Sequence, residues 1–196
     1  FITTNPTDAT DQRLALPVHL LTLDDMTLLL QVSSHTQIPI IERALKLVKV
    51  FADVSDEAVM YKNHLIAKAL LAILFSNETT KEKKNEVFQV IQVCHTNEFN
   101  FDTDIPGVGY TRKFSDCFEI DSHGNFGESV LINEYILKFI NDDLEGRIIA
   151  KPVYYTLKDF ASALEFTLIS EGFLHNEAIR DDASILKVRL NSILNS

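Results

Sequence analysis

Apolar residues recur at intervals of three and four along most of this 196-residue chain, and that spacing constrains the fold more than any other feature. It places the apolar side chains on one face of an α-helix. The first half is predicted to contain four such helices, at about residues 22–32, 40–53, 55–75 and 80–95. Because short polar segments join them, we expect an antiparallel bundle or a stacked helical array.

Residues with capping chemistry stand at the expected helix starts. Ser55 precedes two acidic residues, and its hydroxyl can accept a hydrogen bond from an N–H group of the first turn. Thr22 and Asp25 have the spacing of a capping box, in which each side chain bonds the backbone N–H of the other residue. Pro39 suits a first turn, since the N–H that it lacks would have no partner within the helix.

The segment from residue 98 to 127 interrupts the helical spacing. Within it, residues 110–120 alternate imperfectly between apolar and polar side chains, which predicts a half-buried strand. Turn-forming residues occupy 121–125, and Phe126 is expected to begin a return strand. The sequence therefore predicts a short antiparallel hairpin after the first helical part.

Helical spacing resumes after this segment. Further helices are predicted at about residues 128–141, 156–172 and 182–194. Between the first two of these, residues 147–155 are rich in β-branched and aromatic side chains and predict a strand. Pro152 confines that strand to a sheet edge, because proline has no N–H to donate to a neighbouring strand.

These patterns predict a mainly α fold, a multi-helix bundle or helical array with a small antiparallel β element in the second half. The length suits a single domain with one hydrophobic core, covering residues 1–196. Its expected parts are a polar N-terminal segment at 1–21, a helical part at 22–97, a loop and hairpin at 98–127, and a helical part with one short strand at 128–196.

Charge and composition limit the class of partner. The net charge is −10, whereas proteins that bind DNA or RNA need clustered Lys and Arg. Anionic membrane surfaces also repel an acidic chain, and the longest apolar run, 69–75, is far shorter than the roughly 20 residues that cross a bilayer. Two cysteines are too few for a disulfide framework, which favours a reducing compartment. We therefore expect a soluble cytoplasmic protein, and its charge predicts that it binds neither nucleic acid nor membrane.

Residues 102–128 hold four of the six glycines, which are common in ligand-binding loops. The start of this segment resembles a calcium-binding loop, but Pro106 and Lys113 stand where oxygen ligands belong. Gly107 and Gly109 lack the third glycine of a dinucleotide fingerprint. We therefore expect no cofactor here, and glycines that serve turn geometry.

The helix predicted after this segment begins next to two glycines. Two glycines, Gly124 and Gly127, precede it and could present backbone N–H groups to an anion. Glu128 is expected in the first helical turn, where its carboxylate would satisfy the helix dipole and repel an anionic ligand. The sequence therefore favours a structural role for these glycines.

Cys117, His123 and Asp121 are the first residues to test for enzymatic activity, because a cysteine nucleophile needs a nearby base. No family signature surrounds the cysteine, and sequence neighbours across a hairpin need not face each other. Cys94 and His95, together with Cys117 and His123, could supply four zinc ligands. These residues lack the two-residue spacings of structural zinc sites. The sequence therefore predicts no catalytic residue and no metal site, and it favours a non-enzymatic protein while leaving an enzyme open.

The first functional hypothesis is a protein–protein interaction domain, an adaptor or assembly module of a larger protein whose partner is another protein. The candidate binding residues are Asp104, Tyr110, Arg112, Phe126, Lys83 and Lys84. The two lysines stand near a helix start, where positive charge opposes the helix dipole and a partner's acidic groups would relieve the conflict. The alternative, which the sequence favours for such a charge run, is a solvated helix start.

Two alternatives stay open. One is an acidic immunity-type inhibitor that neutralises a basic partner, which requires an acidic face. The other is an enzyme whose site lies around residues 102–128.

Overall fold

The computed structural model describes residues 2–3, 12–13, 17–144, 153–172 and 177–195. These residues form seven α-helices and two pairs of short strands. In chain order the elements are β1 (Ile2–Thr3), β2 (Gln12–Arg13), α1 (Leu23–Leu29), α2 (Gln37–Ala52), α3 (Asp56–Leu74), α4 (Thr80–Val93), β3 (Asp104–Pro106), β4 (Thr111–Lys113), α5 (Ser129–Leu137), α6 (Leu157–Ser170) and α7 (Glu177–Leu194). The predicted fold class, mainly α with a small antiparallel β element in the second half, is confirmed.

Side-chain caps explain where several of the helices begin. Capping boxes form between residues three apart at the starts of α1, α4 and α6: Thr22 with Asp25, Thr79 with Glu82, and Thr156 with Asp159. At α3, the Ser55 side chain accepts a hydrogen bond from the backbone N–H of Ala58. The caps predicted at Thr22 and Ser55 are therefore confirmed. The N–H groups of a first turn have no partner within the helix, and these side chains supply one.

The centre of the fold is α6, which packs against α2, α3, α4 and α7. It buries side chains around most of its circumference: Phe160, Ala163, Leu164, Phe166, Thr167, Leu168 and Ile169. A continuous hydrophobic core extends from Val18 to Leu190 and includes residues of every helix from α1 to α7. Within the described residues, no helix combines the length and the apolar character that spanning a bilayer requires.

The strand predicted at 110–120 is wrong over most of its length. Only Thr111–Lys113 form a strand, and Ser115–Phe118 form a turn of 3-10 helix. The buried side chains are Phe114, Cys117 and Phe118, whose spacing of three and four is helical. Aromatic residues four apart satisfy both the period of two of a strand and the period of a helix, so the pattern alone did not distinguish a strand from a helical turn.

The antiparallel β element also differs in position from the predicted hairpin. β3 pairs with β4, so that Asp104 lies opposite Lys113 and Pro106 opposite Thr111. The predicted hairpin around 121–125 is reduced to one antiparallel bridge between Ile120 and Phe126. A turn at 121–125 is present, closed by a hydrogen bond of 2.8 Å from the backbone N–H of Asp121 to the carbonyl of Asn125.

Other elements also differ from the sequence predictions. α5 ends at Leu137 and is followed by a 3-10 turn at Asp142–Leu144, whereas a helix was predicted to 141. α7 begins at Glu177, five residues before the predicted start at 182. The N-terminal segment contains a parallel pair, β1 with β2, that was not predicted. Most of the strand predicted at 147–155 lies outside the described residues, and 153–155 have no regular secondary structure.

Candidate functional site

Residues 104–113, which we call the hairpin, are fixed to the helical body by a buried aromatic cluster. Phe114 and Phe118, directly after β4, have ring centroids 5.2 Å apart. Phe99 packs edge-on against Phe114 at 6.2 Å. Tyr135 of α5 packs against Phe99 with a centroid distance of 5.8 Å. The cluster therefore holds the hairpin and α5 in a fixed relation.

The tip of the hairpin needs two of its glycines. The backbone N–H of Gly107 donates to the carbonyl of Tyr110 at 2.8 Å, which closes the turn. A Cβ atom on Gly107 would lie 2.7 Å from the Tyr110 ring, so a larger residue would displace that ring. Gly109 has φ +81°, a conformation that other residues rarely adopt. The predicted role of these two glycines in turn geometry is confirmed.

Glu128 joins the hairpin to the start of α5. The Tyr110 hydroxyl donates to its Oε2 at 2.8 Å, and Arg112 donates from Nε to its Oε1 at 3.1 Å. The hydrogen bonds from Tyr110 and Arg112 lower the pKa of the Glu128 carboxyl, and the bond to Glu128 raises the pKa of Tyr110. Arg112 also lies over the Tyr110 ring, 5.6 Å from its centroid.

Glu128 lies one residue before the first turn in which it was predicted. It stands at the N-cap position of α5 and makes no side-chain capping hydrogen bond there. Its carboxylate bonds the hairpin instead, because two donors 16 and 18 residues away in sequence converge on it. Charge-assisted bonds to two donors hold a carboxylate more strongly than the partial charge of a helix start.

Asp104 is engaged within the hairpin. Its carboxylate accepts an ion pair from Lys113 at 2.7 Å, across the strand pair. Lys113 also donates to the backbone carbonyl of Asp102 at 2.9 Å. The hydrogen bond to Asp104 raises the pKa of the Lys113 ammonium group. The hairpin therefore carries charges of both signs that are paired with each other or with Glu128.

A groove of about 450 Å³ lies between the hairpin tip and the first turns of α5, and we call it the hairpin groove. Its lining consists of Pro106, Gly107, Val108, Tyr110, Gly127, Glu128, Ser129, Val130, Leu131 and Glu134. Val108 is 99% exposed and Val130 is 69% exposed. Two apolar side chains thus face solvent on opposite walls, one on the hairpin and one on α5.

The basic start of α4 has an explanation within the chain. Lys83 donates from Nζ to the carbonyl of Leu74 at 2.8 Å, at the end of α3. A cation is favourable there because the carbonyl groups of a last turn carry partial negative charge. Lys84 lies 5.4 Å from the centroid of the Phe88 ring. The predicted conflict between Lys83 and the α4 dipole is thus offset by a contact with another helix.

The structure brings together only some of the candidate binding residues. Tyr110 and Arg112 meet at Glu128, and Asp104 lies on the neighbouring strand of the same hairpin. Phe126 is half-buried, with its ring 5.3 Å from that of Phe118.

Sequence reasoning missed the residues that shape the hairpin groove most. These are Val108, Val130 and Glu134. Val108 carried a signal that could have been found, because it is a lone apolar residue between two glycines of a turn, where burial is rare. Val130 and Glu134 carried none, since an apolar and an acidic residue on a helix are ordinary in any sequence.

The candidate catalytic residues do not form a nucleophile–base pair. Cys117 is buried, whereas His123 is exposed with its Nδ1 3.4 Å from the Ser122 hydroxyl. The Asp121 carboxylate accepts the backbone N–H groups of His123 and Asn125 and so serves the turn. Among the described residues, no three His, Cys, Asp or Glu side chains lie close enough together to hold a metal ion.

Both thiols are expected to react slowly in the folded protein. Burial raises the pKa of Cys94 to about 12 and that of Cys117 to about 11, the latter with help from the charges of Glu128 and Asp116. Because only the thiolate reacts, we expect iodoacetamide at about pH 8 to label Cys117 about a hundredfold more slowly in the native protein than in urea. Mass spectrometry of quenched samples measures both rates.

His123→Ala is the control for this experiment. Since His123 makes no hydrogen bond with Cys117, the substitution should leave the native labelling rate unchanged. A native rate equal to that in urea, or a rate that falls in His123→Ala, would contradict the expectation and favour a catalytic thiol.

Comparisons with protein-family models, with curated proteins and with solved structures found no match to this chain.

Proposed function

We propose that this protein is a protein-interaction domain that binds a partner at the hairpin groove. The observation that carries the proposal is the pair of exposed valines, Val108 and Val130, on the two walls of one groove. Contact with a partner would remove their apolar surface from water, which is favourable. Apolar side chains grouped around a groove are typical of interaction sites, whereas single exposed ones are not informative.

The walls of the groove are held in place before any partner binds. Tyr110 and Arg112 are both bonded to Glu128, which joins the hairpin wall to the α5 wall. The aromatic cluster beneath supports both walls, with Phe114 after β4 and Tyr135 on α5 each packed against Phe99. Binding to a preformed groove loses less conformational entropy than binding to a loop that must first be ordered.

Glu134 indicates the charge of the partner. It is exposed at the rim of the groove, and it forms no ion pair with any other part of the chain that the structure describes. The net charge of −10 also attracts a basic partner. The occupant that fits is an extended segment of another protein, with an apolar residue between the two valines and an Arg or Lys beside it.

Selection from a displayed library of random peptides on the intact protein tests the proposal. We expect the selected peptides to share an apolar residue next to Arg or Lys. In Val108→Asp their affinity should fall at least about tenfold, because the new carboxylate must be desolvated against an apolar side chain. Val54→Asp is the matched control, since Val54 is 88% exposed in the link between α2 and α3. It should bind like the unmodified protein.

A double-mutant cycle tests the role of Glu134. Glu134→Gln is combined with replacement of the peptide's basic residue by Gln, and isothermal titration calorimetry measures the four affinities. We expect a coupling free energy of about 0.5 kcal/mol, typical of an exposed ion pair. A selection without a common peptide pattern, or equal effects of Val108→Asp and Val54→Asp, would refute the proposal.

A further inference from the structure

A cleft of about 310 Å³, remote in sequence from the hairpin, lies between α2, α3 and the end of α6. We call it the Arg43 cleft, and its lining residues differ in every case from those of the hairpin groove. Its polar and aromatic lining includes Arg43, Tyr61, Lys68, Phe166, Ser170 and Glu171.

The Tyr61 hydroxyl is available inside this cleft. Tyr61 is only 7% exposed, and its hydroxyl makes no hydrogen bond with the described residues. The hydroxyl oxygen is not fully enclosed by protein atoms. In the described part of the chain, the only side-chain polar atom that is both fully enclosed and unpaired is Asn133 Oδ1. A tyrosine hydroxyl normally finds a partner when the ring is buried. Tyr61 lines the cleft, which is the open space beside its side chain.

The ring of Tyr61 is held in this position by its neighbour. The His64 ring stacks on it with a centroid distance of 6.3 Å. His64 is itself buried, and its Nδ1 accepts the backbone N–H of Asn141 at 3.1 Å. The hydroxyl is therefore a positioned donor. Ser170 adds a second hydroxyl to the lining that has no hydrogen bond within the described residues.

Arg43 supplies the cleft with hydrogen-bond donors that an anion can accept, although the whole chain is acidic. Arg43 and Lys68 line it together with one carboxylate, Glu171. Arg43 donates from Nε to Glu171 at 3.1 Å, and its two terminal nitrogens have no further partner within the described residues. Those nitrogens form the planar fork that suits a carboxylate or a phosphate.

The remaining walls are apolar. Phe166 is buried and packs edge-on against Phe51 with a centroid distance of 5.1 Å. Leu65, Ala69 and Ala72 complete the lining on the α3 side. A volume of about 310 Å³ is at the small end of ligand sites, so it admits a molecule of about one ring.

We propose that the Arg43 cleft binds a small organic anion, one ring that bears a carboxylate or a phosphate. The acidic group bonds the free nitrogens of Arg43 and accepts the Tyr61 hydroxyl, and the ring packs against the apolar lining on the α3 side. Glu171 opposes binding, because it holds Arg43 and places a negative charge at the rim.

Two-dimensional NMR titration of the full chain tests this inference with defined probes. The probes are phenyl phosphate, benzoate, inorganic phosphate and the cation benzylamine. We expect the two aromatic anions to bind and to shift the amide signals of α3 and the end of α6. Inorganic phosphate should bind more weakly than phenyl phosphate, because it lacks the ring. No binding of the aromatic anions at millimolar concentration, or equally strong binding of benzylamine, would overturn the proposal.

Variants separate this site from a nonspecific attraction. Arg43→Gln should weaken phenyl phosphate at least about tenfold, and Tyr61→Phe about threefold, since each removes a hydrogen bond to a charged group. Glu171→Gln should strengthen it about threefold, because a repulsive charge is lost. Lys49→Gln on the exposed part of α2 is the charge-matched control and should change nothing.

Opposite effects of Arg43→Gln and Glu171→Gln on the affinity for phenyl phosphate would be the decisive result. A cleft that merely needs Arg43 for folding would lose affinity in both Arg43→Gln and Glu171→Gln, because both break the same ion pair. Circular dichroism of each variant confirms folding. Equal affinities in Arg43→Gln and Lys49→Gln would overturn the proposal, and neither result affects the separate proposal for the hairpin groove.

Discussion

Replacing Phe99 with alanine is expected to lower the free energy of unfolding by about 4 kcal/mol, the usual cost of removing a fully buried aromatic ring. Phe99 has no exposed surface and packs edge-on against three rings, at 6.2 Å from Phe114, 5.8 Å from Tyr135 and 4.8 Å from Phe139. Such pairs contribute about 0.5–1.5 kcal/mol beyond the apolar area that they bury. Urea denaturation followed by circular dichroism measures the loss.

Phe75→Ala is the matched control for Phe99→Ala. Phe75 follows the last residue of α3 and is 76% exposed, so the same truncation should cost less than about 0.5 kcal/mol. Comparable losses in the two variants would show that the aromatic cluster does not stabilise the fold. If Phe99→Ala proves too unstable to isolate, Phe99→Leu should show a smaller loss of the same sign, since it retains part of the buried volume.

Replacing Gln37 with leucine is expected to cost about 2 kcal/mol, because it removes two hydrogen bonds in a site without solvent. Gln37 is fully buried at the start of α2. Its Oε1 accepts the backbone N–H of Ser33 at 3.1 Å, and its Nε2 donates to the carbonyl of Asp182 at 3.0 Å. The side chain therefore ties α7 to α2, next to a hydrogen bond from the Thr36 hydroxyl to the Asp182 carboxylate.

Amide hydrogen exchange distinguishes this effect from a general loss of stability. In Gln37→Leu we expect the amides of α7 to lose protection before those of α3, since α7 is the element that the removed bond anchors. Gln92→Leu, on the exposed face of α4, is the control and should change neither quantity. Uniform loss of protection across all helices in Gln37→Leu would contradict the role given to the Gln37 side chain.

How much of the fold could be predicted depends on the distance over which each interaction acts. The caps at Thr22 and Ser55 are formed between residues three apart, and the ion pair of Glu42 with Lys46 between residues four apart. Interactions of that range are present in the sequence window that defines a helix, so the helices were predicted with their approximate bounds. The start of α7 was missed because Asp181 and Asp182 suggested a helix end or cap, whereas both lie inside the helix.

The errors arose where one pattern fits two structures. Phe114 and Phe118 are four apart, which suits a strand of period two and a helical turn equally well. Burial of Cys117 between them selected the turn, and that burial comes from packing against the body of the protein. The hairpin predicted around 121–125 shows the same limit of local patterns. Its turn was predicted correctly, but strand pairing beyond the turn is restricted to one bridge between Ile120 and Phe126, because pairing depends on the neighbouring elements.

The helices, their starting caps and the turn-forming glycines could be read from the sequence, because each rests on contacts among residues close together in the chain. The surfaces that those elements present to a ligand depend on contacts between residues far apart in the chain. Glu128 receives its donors from 16 and 18 residues away, and Arg43 meets Glu171 across 128 residues. Both the hairpin groove and the Arg43 cleft are made by such convergence, which depends on how the helices pack around α6. The packing sums many weak contacts over the whole chain, and no local stretch of residues encodes it.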